Sequence, residues 1–138
     1  MMGAVCENAR KTEFHLPRNF RRICLERVET AGAARGRADD GYLLWVPLDA
    51  KGSIDTQAWL DYADYFRLVK YSPGEANEVG HLMPRSDGAW TLHYDITGAD
   101  EDPSDFRLEG ACFVPGALVS IREASDSRIY CVRGIGPY

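Results

Sequence analysis

The chain has 138 residues, 45% of them hydrophobic and 27% charged, with a formal net charge of −5. That length suits one domain able to bury roughly two-thirds of its unfolded surface, so no metal or disulfide staple is required. No apolar run approaches the ~18 residues of a membrane span, and the opening residues have no apolar signal core, which predicts a cytoplasmic protein with reduced thiols.

Residues 1–16 lack periodicity and predict a flexible tail, leaving 17–138 as a single globular domain. Segment 10–37 carries eight basic against three acidic side chains, whereas 38–138 carries eight against seventeen. A basic leading segment on an acidic body can meet an anionic partner, or it can pair beside acidic neighbours within the sheet. In the first case Arg18, Arg21, Arg22 and Arg27 would be the contacts of a nucleic-acid-binding module. Phe20 to Val28 fits a helical face through Phe20, Ile23, Cys24 and Val28, and a strand through Ile23 to Leu25. The Gly- and Ala-rich loop expected over 31–41 favours the strand.

Gly41 to Leu48 is apolar on both faces and reads as a central strand, with Pro47 marking its end or a bulge. Asp49 to Gly52 is a turn. One helix follows, with Asp55 as its cap and Thr56 to about Tyr65 as its body. Trp59, Tyr62, Ala63 and Phe66 fall at i, i+3, i+4 and i+7, so they form a stripe facing the sheet, with Trp59 stapled to Ile54 and Asp61 and Asp64 in water.

Phe66 to Tyr71 is a strand, and Glu78 to Arg85 with Ala89 to Asp95 form a hairpin around Ser86-Asp87-Gly88. Trp90, Leu92 and Tyr94 face the core. A three-residue loop sets His81 opposite His93, on the face that carries Asp95; a two-residue loop sets His81 opposite Tyr94. In the first register His81, His93 and Asp95 could ligate a metal or shuttle protons, and in the second they are solvated side chains. Thr97 to Asp105 is an acidic loop. Asp100, Glu101, Asp102 and Asp105 lack the spacing of a cation-binding loop and read as solvated.

The remainder has the clearest strand signature. Phe106, Leu108, Cys112 and Val114 keep a period of two, Pro115-Gly116 breaks the chain, and Val119 and Ile121 resume the period with Ser120 and Arg122 on the other face. A turn over Ala124 to Ser127 leads into a last strand, Arg128 to Arg133. Cys24, Cys112 and Cys131 lie in these strand-like segments, where a small buried hydrophobe is the expected role. The fold class is α+β, mainly β: a small antiparallel barrel or strongly curled sheet of about six to eight strands, with one helix packed on it.

Phe20-Arg-Arg-Ile-Cys-Leu25, Gly41-Tyr42 through Asp49, Gly52-x-Ile-Asp55 and Phe113-x-Pro-Gly-x-x-Val-Ser-Ile-Arg122 together resemble a group of short, uncharacterised bacterial proteins. That resemblance implies one intact domain and carries no activity. The Pro115-Gly116 turn is similar to one in PUA-like RNA-binding barrels, at the level of fold alone. Glycine-rich phosphate loops, G-x-S-x-G and H-E-x-x-H are absent. The sequence therefore favours a non-catalytic binding domain with no cofactor and a protein or small-ligand partner ahead of nucleic acid. A metal-assisted or acid-base hydrolase using His81, His93 and Asp95 is the enzymatic alternative.

Overall fold

Alternation of inward and outward side chains rolls the chain into a tube. The structure, a computed structural model, describes residues 17–28, 37–95, 106–108, 112–123 and 126–137. Eight strands follow in order: β1 (Phe20–Val28), β2 (Arg37–Pro47), β3 (Arg67–Tyr71), β4 (Glu78–Pro84), β5 (Trp90–Tyr94), β6 (Phe106–Leu108), β7 (Leu118–Glu123) and β8 (Asp126–Pro137). Each pairs antiparallel with the next, and β8 returns to pair with β1, closing the barrel. Closure removes the unpaired edges that an open sheet would present.

An eight-stranded barrel encloses a space that side chains can just fill. Here they do so with Ile23 and Leu25 of β1, Leu44 and Val46 of β2, Leu68, Leu82, Leu92, Leu108, Val119, Ile121 and Val132, all buried. One end is capped by aromatic rings. Phe20 meets Phe66 edge-on at 5.7 Å, Phe66 stacks on Trp90 at 5.5 Å, and Tyr62 lies edge-on to Phe20 at 6.1 Å. Such geometries add to the area the rings remove from water.

Segment 20–28 is a strand, held by β2 on one side and β8 on the other. Its register slips between Glu26 and Arg27 against β2 and between Cys24 and Leu25 against β8. The two strands approach so closely at Gly41 that a Cβ there would lie 1.9 Å from the Leu25 carbonyl oxygen. The hairpin of β4 and β5 takes the three-residue loop: the Arg85 amide donates to the Ala89 carbonyl at 2.9 Å, and Gly88 adopts φ +90°, which glycine tolerates without strain. Trp90, Leu92 and Tyr94 face inward as expected.

Several expectations need correction. The loop placed over 31–41 gives way to β2 at Arg37, because Arg37 still pairs with Arg27 and Asp40 is buried beside that arginine; residues 29–36 lie outside the described residues. The expected helix is a single α turn, Trp59–Tyr62, between two 3-10 turns, Thr56–Ala58 and Ala63–Tyr65. Asp55 caps it, accepting from the Gln57 amide at 3.2 Å. No residue within these turns is fully buried, and Trp59 is only half-buried, donating through Nε1 to the Leu82 carbonyl at 3.2 Å. Phe66, just past the last turn, is the fully buried member of the stripe.

The face assigned to 112–114 is also inverted. Cys112 and Val114 are exposed and Phe113 is buried, because the Phe113 amide leaves the ladder and donates to the Gly52 carbonyl at 2.8 Å. Cys24 and Cys131 are half-buried, so none of the three described cysteines is a core residue, and all three are free thiols. β8 begins at Asp126, paired with Glu123, and runs on to Pro137 against Arg21, longer than expected at both ends. The tail 1–16 and the acidic loop with Asp100, Glu101, Asp102 and Asp105 lie outside the described residues.

Aromatic truncation in a core costs roughly 3–5 kcal/mol. Phe66→Ala should lower the urea midpoint by an amount in that range, and Trp59→Ala by less. Asp61→Ala, an exposed change, should stay within about 0.5 kcal/mol. A Trp59→Ala midpoint below that of Phe66→Ala would show that the turns, and not the ring cluster, close this end.

Candidate binding site

Following the inward rows of five strands toward the other end of the barrel, the side chains turn polar, while the β1 row stays apolar to Val28. On β2 the row runs Val46, Leu44, Tyr42, Asp40; on β3 Leu68, Lys70; on β5 Trp90, Leu92, Tyr94; on β7 Val119, Ile121, Glu123; on β8 Val132, Tyr130, Arg128. A period of two leaves no other place for them, since the same pleat that turns Ile121 inward turns Glu123 inward. Glu123 keeps 7% of its surface accessible and Asp40 5%.

A buried carboxylate is tolerated only when it is paired and hydrogen-bonded. Glu123 accepts at Oε2 from the Tyr130 hydroxyl at 2.6 Å and the Tyr42 hydroxyl at 2.9 Å. At Oε1 it meets Lys70 Nζ at 2.8 Å and Arg128 Nη1 at 3.2 Å. Three hydrogen bonds and the Arg128 ion pair thus engage both carboxylate oxygens. Because Tyr42 spends its proton on Glu123, its 3.0 Å contact with Tyr94 must be a donation from Tyr94. A chain of hydroxyls thus runs from Tyr94 through Tyr42 to the charge, and the Tyr42 and Tyr130 rings meet edge-on at 5.2 Å. Burial alone would raise the Glu123 carboxyl, but the bonds from Lys70, Tyr130 and Tyr42 with the Lys70 charge outweigh it and hold the group below its ordinary value. Burial, reinforced by Glu123 and neighbouring phenols, pushes the Tyr42 and Tyr130 hydroxyls well up.

Above this cluster opens a cavity of about 440 Å³, lined by Arg27, Asp40, Lys70, Ser72, Pro73, Glu75, Glu123, Asp126 and Arg128. Arg27 reaches Asp40 Oδ2 at 3.4 Å, while Asp40 Oδ1 is buried without a hydrogen-bond partner. None of these mouth residues except Arg27 stands out in the sequence by motif. The signal was available as phase: a charged or phenolic residue continuing an apolar inward row, on five strands, toward the same end of the barrel.

The histidine pair sits elsewhere, on the outer face. His81 is directly opposite His93, and Asp95 bonds His81 Nδ1 at 2.9 Å. His81 Nε2 lies 2.9 Å from Arg67 Nη1, and Arg67 Nη2 lies 3.3 Å from Asp95. Since a guanidinium only donates, Nε2 must carry the ring's lone pair and Nδ1 its proton. That lone pair is already engaged. Among the described residues no group of three or more His, Cys, Asp or Glu side chains is arranged to hold a metal ion. A groove of about 190 Å³ beside the pair is bounded by Trp59, Ala63 and Met83.

The four arginines do not form one patch. Arg21 folds back on the carbonyls of Arg18 and Phe20, whereas Arg27 lies at the polar mouth with Asp40. Six residues of strand, roughly 20 Å, separate Arg21 from Arg27. No helix among the described residues is long and apolar enough to cross a membrane. Comparison with protein-family models, curated proteins and solved structures finds no match.

The direction of the Glu123 shift sets an acid dependence. Its folded value lies below its unfolded one, so its ionisation contributes stability above the unfolded value, and this is lost as pH falls through the folded value. Glu123→Gln should therefore flatten the acid limb of a stability-against-pH curve. Glu123→Ala, which leaves the Lys70 ammonium uncompensated, should cost about 3–5 kcal/mol at neutral pH. Urea midpoints measured across the acid range check both.

The phenols give the opposite sign. Tyr42 and Tyr130 have folded values above their ordinary 10.0, so the stability they contribute is complete below that pH and drains away above it. Absorbance at 295 nm should show these two, with Tyr71, which burial also raises, ionising only as the fold is lost. Complete titration of all seven tyrosines with the fold intact would contradict the buried cluster.

Proposed function

We propose that the protein is a non-catalytic binding domain whose ligand site is the polar mouth of the barrel. The observation that carries this reading is the change of polarity along the inward rows. Among the described residues, apolar side chains fill the middle of the tube and aromatic rings close its far end, which leaves the mouth as the polar opening for a ligand. A cavity of about 440 Å³ falls within the ordinary size of small-molecule sites. Glu123 supports binding and not proton transfer, because three hydrogen bonds and the Arg128 ion pair occupy it and its carboxyl is held in the charged form. Its part is to hold Lys70, Arg128 and the phenols in one geometry, the pre-organisation that makes a small site selective. Three free thiols among the described residues support a reducing, cytoplasmic setting.

The test is a titration of isotope-labelled protein with a panel of small polar compounds: diamines, amino acids, dicarboxylates and sugars. Amide shifts should concentrate at Asp40, Tyr42, Lys70 and Glu123, with the outer face at Met83 and His93 unmoved. Shifts confined to that outer face would place the site beside Trp59 and overturn the reading.

A further inference from the structure

The mouth has more acceptors than it can satisfy. Its lining holds three cationic side chains, Arg27, Lys70 and Arg128, and four carboxylates, Asp40, Glu75, Glu123 and Asp126. All three cations are committed: Arg27 to Asp40, and Lys70 and Arg128 to Glu123. Glu123 is engaged at both oxygens by three hydrogen bonds and the Arg128 ion pair. What remains is acidic. Glu75 and Asp126 are exposed at the rim and form no ion pair among the described residues, and Asp40, 95% buried, has Oδ1 without a donor. A buried carboxylate oxygen with no partner is rare, because it has given up water and received nothing in return. It points to a donor that the described residues do not supply.

The described residues offer a divalent cation little. Calcium or magnesium needs several oxygens converging within about 2.0–2.6 Å, and no group of three or more acidic, histidine or cysteine side chains among the described residues converges in that way. An anion would meet a net negative lining and leave Asp40 Oδ1 as it is. An ammonium brings three N–H donors on a single charge, which matches one deep carboxylate oxygen. Resting on the mouth as the ligand site, we propose that its ligand is a small organic cation of the diamine class, one ammonium seated on Asp40 and the other held between Glu75 and Asp126 at the rim. The two acidic positions differ in weight. Exposed rim carboxylates are screened and contribute little, so Asp40 dominates affinity and the rim sets which chain length is preferred.

Calorimetric titration at low salt with three four-carbon compounds tests this: 1,4-diaminobutane, 1,4-butanediol and succinate. The diamine should bind, and the neutral and anionic analogues should not at the same concentration. Asp40→Asn should weaken the diamine about tenfold or more, the loss expected for one charge-assisted bond. Its melting temperature should change little, because the lost pair with Arg27 is long and that arginine is part-exposed. If that variant does not fold, the exposed pair Glu75→Lys and Asp126→Lys serves instead and should also weaken the diamine. Diamine binding that survives both changes is adhesion to the acidic surface and overturns the proposal. Succinate binding with mouth amide shifts would overturn the cation and leave the mouth as the site. Absence of mouth shifts with the whole panel would overturn both.

Discussion

A charge placed inside a closed barrel has to be answered from within the barrel, and Glu123 is that charge. Its four partners come from three strands, β2, β3 and β8 reaching across to the end of β7, with β8 contributing two. Wherever those strands shift by one residue, the donors turn outward with the rest of the row. The cluster therefore selects register. Hydrophobic burial drives closure but would accept several near-equivalent pairings, whereas the Tyr42, Lys70, Arg128 and Tyr130 positions fit one. Such ionic specificity adds little to net stability, since desolvation offsets most of the attraction.

The two ends of the tube divide the work. Aromatic rings at one end exclude water, with Phe20, Phe66, Trp90 and Phe113 all buried. The other end keeps its hydrogen-bonding groups partly open to solvent. That division explains why the irregular turns over 56–65 are tolerated: they cover rings that are already packed on one another, so they need reach and not regularity.

The sequence was legible where local chemistry decides conformation. Period-two alternation located β5 and β7, and Asp87-Gly88 located the hairpin, because pleat and turn depend on neighbouring residues alone. It was misleading where a distant partner decides. Phe113 turns inward on account of a bond to Gly52, sixty-one positions earlier, and no local period announces it. The extension of β8 through Gly134-Ile-Gly-Pro137 likewise depends on β1 being alongside. Residue type drew attention to the histidines on the outside of the barrel and to four arginines, of which Arg27 lines the mouth. The relevant residues are ordinary Tyr, Lys, Glu and Asp whose only mark is the direction in which their strand points them.

Closure by β1 and β8 has a kinetic side. β1 is made early and β8 late, with more than a hundred residues between Val28 and its partner Ile129. Until β8 arrives, β1 has a neighbour on one flank only, and the hydroxyl of Tyr130 and the guanidinium of Arg128 are not yet available to Glu123. Loop closure over that span costs entropy before it returns any contact, which places such barrels among the slower-folding topologies. A nascent chain of this kind carries a bare apolar edge for much of its synthesis. Its exposure to wrong partners is set by the interval between the two strands leaving the ribosome, a property of strand order alone that no substitution in the core would shorten.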